Sequence, residues 1–194
     1  MSDRWIGVAP ASAEADLVAL LESGAPGPDG ERVPFVRTEW AWRFPGGKTL
    51  SFDSLRGTTL TLANATMFGH LVVAVFDDRD GLVDLVTKRV PIEDVAQLVK
   101  RSEAAASDRE KLDALLALTS AQSMTGGEPL PAFETAARRA LADPSPVVRL
   151  GAIRSITILP PATAFALLEG VKDRDNPGLA DWRAHYRKLM TQSS

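Results

Sequence analysis

The sequence has no cysteine, only two histidines and a single tyrosine among its 194 residues. Without cysteine, disulfide bonds, thiolate zinc sites and a cysteine nucleophile are excluded. The two histidines, His70 and His185, are far apart and belong to no H-E-x-x-H spacing that would bind zinc. We therefore expect no cofactor and no metal, and a reducing compartment such as the cytoplasm.

Long hydrophobic runs are also missing. The longest uninterrupted apolar run covers residues 71–76, whereas a membrane-spanning helix needs about 20 apolar residues. Residues 1–5 lack a basic start followed by an apolar segment, so we expect no signal peptide. The sequence thus predicts a protein that has no membrane partner.

A large excess of one charge sign is missing too, since 22 basic and 25 acidic residues leave a net charge of only −3. Hydrophobic residues make up 45% of the chain and charged residues 24%, which is ordinary for a globular protein. Residues 131–194 are mildly basic, with nine Lys or Arg against six Asp or Glu. This excess is too small to predict nucleic-acid binding without further evidence.

Period-two alternation dominates the first half of the chain. After a helix predicted over residues 12–23, segments rich in Val, Thr and aromatic residues predict strands over residues 37–44, 48–52, 58–63, 71–76 and 82–90. The first two should form a hairpin, and the continuously apolar residues 71–76 should form a central strand covered on both faces. We expect four or five mostly antiparallel strands with the first helix against them.

From Pro91 onward the apolar period becomes helical. We expect helices beginning at Pro91, at a capping box formed by Ser107 and Glu110, and near Pro131, Pro146 and Pro161, followed by a final helix. The predicted class is α+β, with a β-rich domain over residues 1–90, a connecting helix over 91–106 and a helical region over 107–194.

One string in the helical region is more specific. Its members, in the pattern D-x-x-P-x-V-R-x-x-A, are Asp143, Pro146, Val148, Arg149 and Ala152. The string resembles the turn and second helix of a HEAT or armadillo repeat. The resemblance implies antiparallel helical hairpins, an Arg149–Asp143 pair within the repeat, and an α-solenoid surface that binds another protein. Residues 143–156 themselves predict a sharp turn followed by a helix that packs on both sides.

Basic side chains on these helices form the candidate interaction surface: Arg138, Arg139, Arg154, Arg183 and Arg187. Some HEAT-like proteins bind or modify nucleic acid through an aligned basic face, which is the main alternative here. Arg149 and Arg154 point about 140° apart on a helix, so they form no single stripe.

A second alternative is an enzyme that uses a pocket between sheet and helices, with His70, Asp77, Asp78 and Asp80. The three acids also occur in the kind of sequence that favours a hairpin turn, and their spacing departs from that of a calcium loop. No serine occurs in a G-x-S-x-G elbow. The structural interpretation of these residues is therefore favoured over catalysis.

Three aromatic residues share a face of the first predicted strand: Trp40, Trp42 and Phe44. They could form a binding platform, but such a set more often fills a core beneath a helix. The favoured function is therefore a non-catalytic protein–protein interaction module, either an adaptor or an inhibitor of the immunity-protein type.

Overall fold

The computed structural model describes residues 4–26, 30–41, 48–65, 69–125, 128–171 and 178–192. The chain divides into two compact units, Met1–Gln97 and Leu98–Ser194. The first unit contains an antiparallel sheet and the second unit is helical, which confirms the α+β class. No helix within the described ranges is long and apolar enough to cross a membrane.

A six-stranded antiparallel sheet forms the body of the first unit. Its strands are β1 (Arg4–Pro10), β4 (Phe35–Ala41), β5 (Lys48–Ser54), β6 (Thr59–Ala65), β7 (His70–Phe76) and β8 (Glu93–Asp94). Their order is β4-β5-β6-β7-β1-β8. The short strands β2 (Ala25–Pro26) and β3 (Arg32–Val33) pair with each other outside this sheet.

The predicted hairpin and central strand are both confirmed. Strand β4 pairs antiparallel with β5, while residues 42–47, the end of the predicted first strand and its turn, lie outside the described residues. Strand β7 pairs with β6 on one side and β1 on the other. Its side chains from Leu71 to Val75 are at most 1% exposed, because an apolar run suits a strand that is covered on both faces.

Two helices accompany the sheet, α1 (Glu14–Glu22) and α2 (Leu82–Arg89). The prediction of a strand over residues 82–90 is therefore wrong. The Asp78 carboxylate accepts the backbone N–H groups of Leu82 and Val83 at 2.7 and 3.0 Å and so caps α2. Leu82 and Val86 are both fully buried, and their spacing of four residues is helical.

The apolar core of the first unit is built from the two helices and alternate strand positions. Leu17 and Leu21 come from α1, and Leu82 and Val86 come from α2. They join residues from the middle strands, which are all at most 2% exposed: Leu50, Phe52, Leu60, Leu62, Val73 and Val75. This alternation along β5 and β6 is the one expected from the sequence.

Strand β1 and the short strand β8 were not predicted. β8 occupies the position where a helix was expected to begin at Pro91, and the helix α3 (Val95–Ala104) starts only after it. Glu93 pairs with Val8 and Asp94 with Gly7. The chain is thus extended beside β1 before it turns helical, and tertiary pairing outweighs the local helix signal.

The second unit contains residues 98–104 of α3 and five further helices. These are α4 (Asp108–Ser123), α5 (Pro131–Leu141), α6 (Pro146–Ser155), α7 (Pro161–Glu169) and α8 (Leu179–Gln192). The predicted capping box is confirmed, since Ser107 and Glu110 bond to each other's backbone N–H groups. Helices α4, α5 and α6 pack on one another, and α7 packs on α8.

The single tyrosine of the chain provides a test of packing in the second unit. Tyr186 on α8 is 3% exposed, and this burial raises the pKa of Tyr186 to about 12. A denatured chain should titrate near the ordinary value of about 10. Ultraviolet absorbance of tyrosinate should therefore show a midpoint about two pH units higher in the folded protein than in denaturant.

The same difference predicts a loss of stability at alkaline pH. Because the folded pKa of Tyr186 is raised, its contribution is complete below pH 10 and is lost as the pH rises towards 12. A tyrosinate midpoint near 10 in a protein that still has its native circular dichroism would contradict the buried placement.

Candidate interaction surface

Three of the five candidate arginines contact partners within the protein. Arg183 on α8 donates to the carbonyl oxygen of Leu168, with its Nη2 at 2.7 Å, and also to that of Val171. These carbonyls lie at the end of α7, where backbone acceptors lack helical partners. The Arg183 guanidinium therefore joins α8 to the C-terminal end of α7.

Two more of these arginines have side-chain contacts. The guanidinium of Arg187 lies 5.2 Å from the ring centroid of Phe165 on α7, a cation–π distance. Arg139 Nη2 lies 3.4 Å from Glu103 Oε1. Arg138 and Arg154 are exposed, and no side-chain partner for either occurs within the described part of the chain.

In the repeat-like turn before α6, Arg149 and Asp143 are in contact. The Asp143 carboxylate accepts from Lys111 Nζ of α4 at 2.9 Å and from the Ser145 backbone N–H at 2.9 Å. Arg149 Nη1 donates to the backbone carbonyls of Asp143 and Pro144, both at 2.8 Å. The Ser145 hydroxyl, at the N-cap position of α6, donates to the Asp108 carboxylate at the start of α4 and makes no cap bond to α6.

These contacts determine the electrostatics of the turn. Burial would raise the pKa of Asp143, but the hydrogen bond from Lys111, the Ser145 N–H and the charges of Lys111 and Arg149 together lower it. The hydrogen bond to Asp143 in turn raises the pKa of Lys111. Both groups are therefore charged at neutral pH, and the pair fastens α4 to the turn between α5 and α6.

Helix α6 packs on both α4 and α5 but leaves one face exposed. Val148, Ala152 and Ile153 are at most 3% exposed, whereas Val147 is 56% and Leu150 46% exposed.

The exposed apolar residues of α6 continue onto α4. A Cβ on Gly151 would lie 2.3 Å from Leu112 Cδ2, so the half-buried Leu112 sits directly over this glycine. Arg154 follows Leu150 by one turn on the same face of α6. We call Leu112, Val147, Leu150 and Arg154 the α6 patch. The i, i+3, i+7 spacing of its three α6 members is visible in the sequence, but nothing local shows that this face stays uncovered.

A shallow groove runs between α3, α4 and α5. It comprises two cavities of about 210 and 310 Å³ that share Ser102, Glu103, Ala136 and Arg139. Leu115, Leu118 and Val148 contribute apolar floor. The Glu103–Arg139 and Lys111–Asp143 ion pairs lie at its walls, so its charges are balanced within the protein.

The residues of the predicted enzyme pocket are not brought together. His70 begins β7 and Asp77 follows its end, so the strand separates them by about 20 Å. Asp78 caps α2, and Asp77 adopts a left-handed turn conformation with φ of 49°. Within the described ranges, no group of three or more His, Asp or Glu residues is arranged to hold a metal ion.

Asp80 is buried and accepts a hydrogen bond from a neighbouring strand end. Its side chain is 1% exposed, and it accepts a 2.6 Å hydrogen bond from Ser54 Oγ. Ser54 Oγ also accepts the backbone N–H groups of Arg56 and Thr58. Asp80 therefore anchors the turn between β5 and β6 to the loop before α2.

The predicted aromatic face can be followed only in part. Trp40 lies in β4 opposite Thr49 of β5, whereas Trp42 and Phe44 lie outside the described residues. The interpretation that these aromatic residues fill a core beneath a helix therefore stays a prediction.

No protein-family model, curated protein or solved structure matches this chain. The HEAT-like resemblance therefore stays a prediction. The α6 patch is the feature of the described structure that supports a functional proposal.

Proposed function

We propose that this protein is a non-catalytic protein-binding module that contacts its partner through the α6 patch. The observation that carries the proposal is the exposure of Val147 and Leu150 one turn apart on one helix. The described residues include two other strongly exposed large apolar side chains, Val36 and Leu55, and both belong to the first unit. Adjacent exposed apolar residues are typical of interaction sites, whereas single ones are common on any surface.

The patch has the composition of an interface centre with a charged rim. Val147, Leu150 and Leu112 supply apolar area that is lost from water on binding. Arg154 adds a positive charge at one end of this area. We therefore infer a partner surface with apolar side chains at its centre and an acidic group beside them.

Such a module would act as an adaptor or as an inhibitor of the immunity type. Packed helices present a rigid outer face, so little conformational entropy is lost when a partner covers it. This role needs no catalytic residues, and it agrees with the structural roles found for Asp78 and Asp80.

The test is a pair of charge substitutions within the patch. Val147→Asp combined with Leu150→Asp should weaken binding to a partner purified with the protein from its own cells by about 100-fold, measured by calorimetry. Leu55→Asp is the matched control, because Leu55 is 86% exposed but lies in the first unit. Both proteins should keep the native circular dichroism.

Equal affinities for wild type, control and double variant would reject the α6 patch as the site. The nucleic-acid alternative has its own signature, an affinity for DNA that falls steeply as salt increases. If such binding is found and is lost in Arg138→Ala combined with Arg154→Ala, the protein-binding proposal is replaced.

A further inference from the structure

Among the described residues, no strand pairs with the outer edge of β4. β4 is the first strand in the sheet order, and within the described part of the chain only β5 pairs with it. It is seven residues long, and Val36 on it is 63% exposed. An edge of this length presents unpaired backbone donors and acceptors to any strand that can approach it.

Two common devices that block edge pairing, proline and a bulge, are absent from β4. The strand contains no proline, and its register with β5 runs without a bulge from Phe35 opposite Ser54 to Ala41 opposite Lys48. It carries two charged residues of opposite sign, Arg37 and Glu39, placed symmetrically about Thr38. Charged side chains on an edge strand prevent pairing with a second copy of the same strand only when like charges lie opposite each other.

The sequence of β4 is complementary to itself in the antiparallel direction. With Thr38 opposite Thr38 of a second copy, Arg37 is opposite Glu39, Val36 opposite Trp40, and Phe35 opposite Ala41. In this register both charged pairs are of opposite sign, and the exposed Val36 is placed opposite an aromatic position. An antiparallel pair related by a two-fold axis is the usual geometry of a homodimer.

We propose that two copies of this chain associate by antiparallel pairing of their β4 strands about a two-fold axis at Thr38. The two sheets then continue across the interface. Arg37 also forms an ion pair with Glu22 of its own chain, and its side chain is still 38% exposed. The guanidinium is therefore within reach of an approaching strand.

The experiment measures the mass of the full chain by sedimentation equilibrium over a concentration series. Wild type should be a dimer at high concentration and dissociate on dilution. Arg37→Glu puts acid opposite acid, and Glu39→Arg puts base opposite base, so each variant should dissociate at least about tenfold more readily. An equimolar mixture of the two variants should form heterodimers, because every charged pair is again of opposite sign.

Circular dichroism checks that each variant is folded. If Arg37→Glu proves unstable because it loses the ion pair with Glu22, Glu39→Arg still provides the test, since it keeps that ion pair. A wild type that is monomeric at every concentration would overturn the proposal. Variants that dimerise as tightly as wild type, or a mixture that stays monomeric, would overturn the β4 register. These outcomes are independent of the α6 patch.

Discussion

Replacing Phe133 with alanine is expected to lower the free energy of unfolding by about 3–5 kcal/mol. Phe133 is fully buried on α5, on the same face as Ala136, Ala137 and Ala140. The neighbouring alanines are too small to fill the space left by the ring, so the loss combines apolar transfer with a cavity. Chemical denaturation followed by circular dichroism measures the change.

Two control substitutions on α5, one on the buried face and one on the exposed face, separate this effect from general damage to the helix. Phe133→Leu keeps most of the buried volume and should cost much less than Phe133→Ala. Arg138→Ala changes an exposed position and should stay within about 0.5 kcal/mol of wild type. If Phe133→Ala were as stable as Arg138→Ala, the inward placement of this stripe would be wrong.

Replacing Asp80 with alanine is expected to cost about 2–4 kcal/mol. The change removes the acceptor of the 2.6 Å hydrogen bond from Ser54 Oγ. It also leaves Arg56 Nε, now 3.8 Å from the carboxylate, without this counter-charge. Asp80 joins two loops that are distant in the sequence. Its replacement should therefore lower the midpoint of chemical denaturation.

A double-mutant cycle with Ser54→Ala assigns this cost to the hydrogen bond. The two substitutions should be less than additive, with a coupling of about 1–2 kcal/mol. Asp80→Asn keeps an oxygen acceptor of the same shape and should retain part of the stability. Additive effects would show that Ser54 and Asp80 act separately, and full stability of Asp80→Ala would refute the structural role.

Elements whose signal lies within a few residues of sequence were predictable. The apolar run of residues 71–76 predicted β7, and the Ser107–Glu110 box predicted the start of α4. Both signals act locally, through burial on two faces and through hydrogen bonds between neighbours. Prolines at the first helical position likewise located α5, α6 and α7.

The two mistaken elements have different causes. Residues 82–89 have mixed apolar spacing, and the Asp78 cap, a local signal that the prediction overlooked, selects the helix. Strand β8 is extended because Glu93 and Asp94 pair with β1. Partners that are tens of residues away in the chain cannot be inferred from spacing alone.

The candidate surface likewise combines residues that the sequence indicated with residues whose exposure depends on packing. The sequence predicted Arg154 as part of the interaction surface, but it also predicted Arg183, which is engaged with the end of α7. It did not identify Val147 and Leu150, because apolar residues on a helix are normally assigned to the core. Only the packing of α4 and α5 against the other side of α6 leaves them exposed.

The sequence alone determined the α+β class and most helix starts, because alternation, capping residues and prolines act over one or two turns. The tertiary structure alone decided the strand order with β4 at its end, the role of each arginine and the exposure of the α6 patch. These depend on which distant segments meet and which surfaces they cover, and that information is spread over the whole chain.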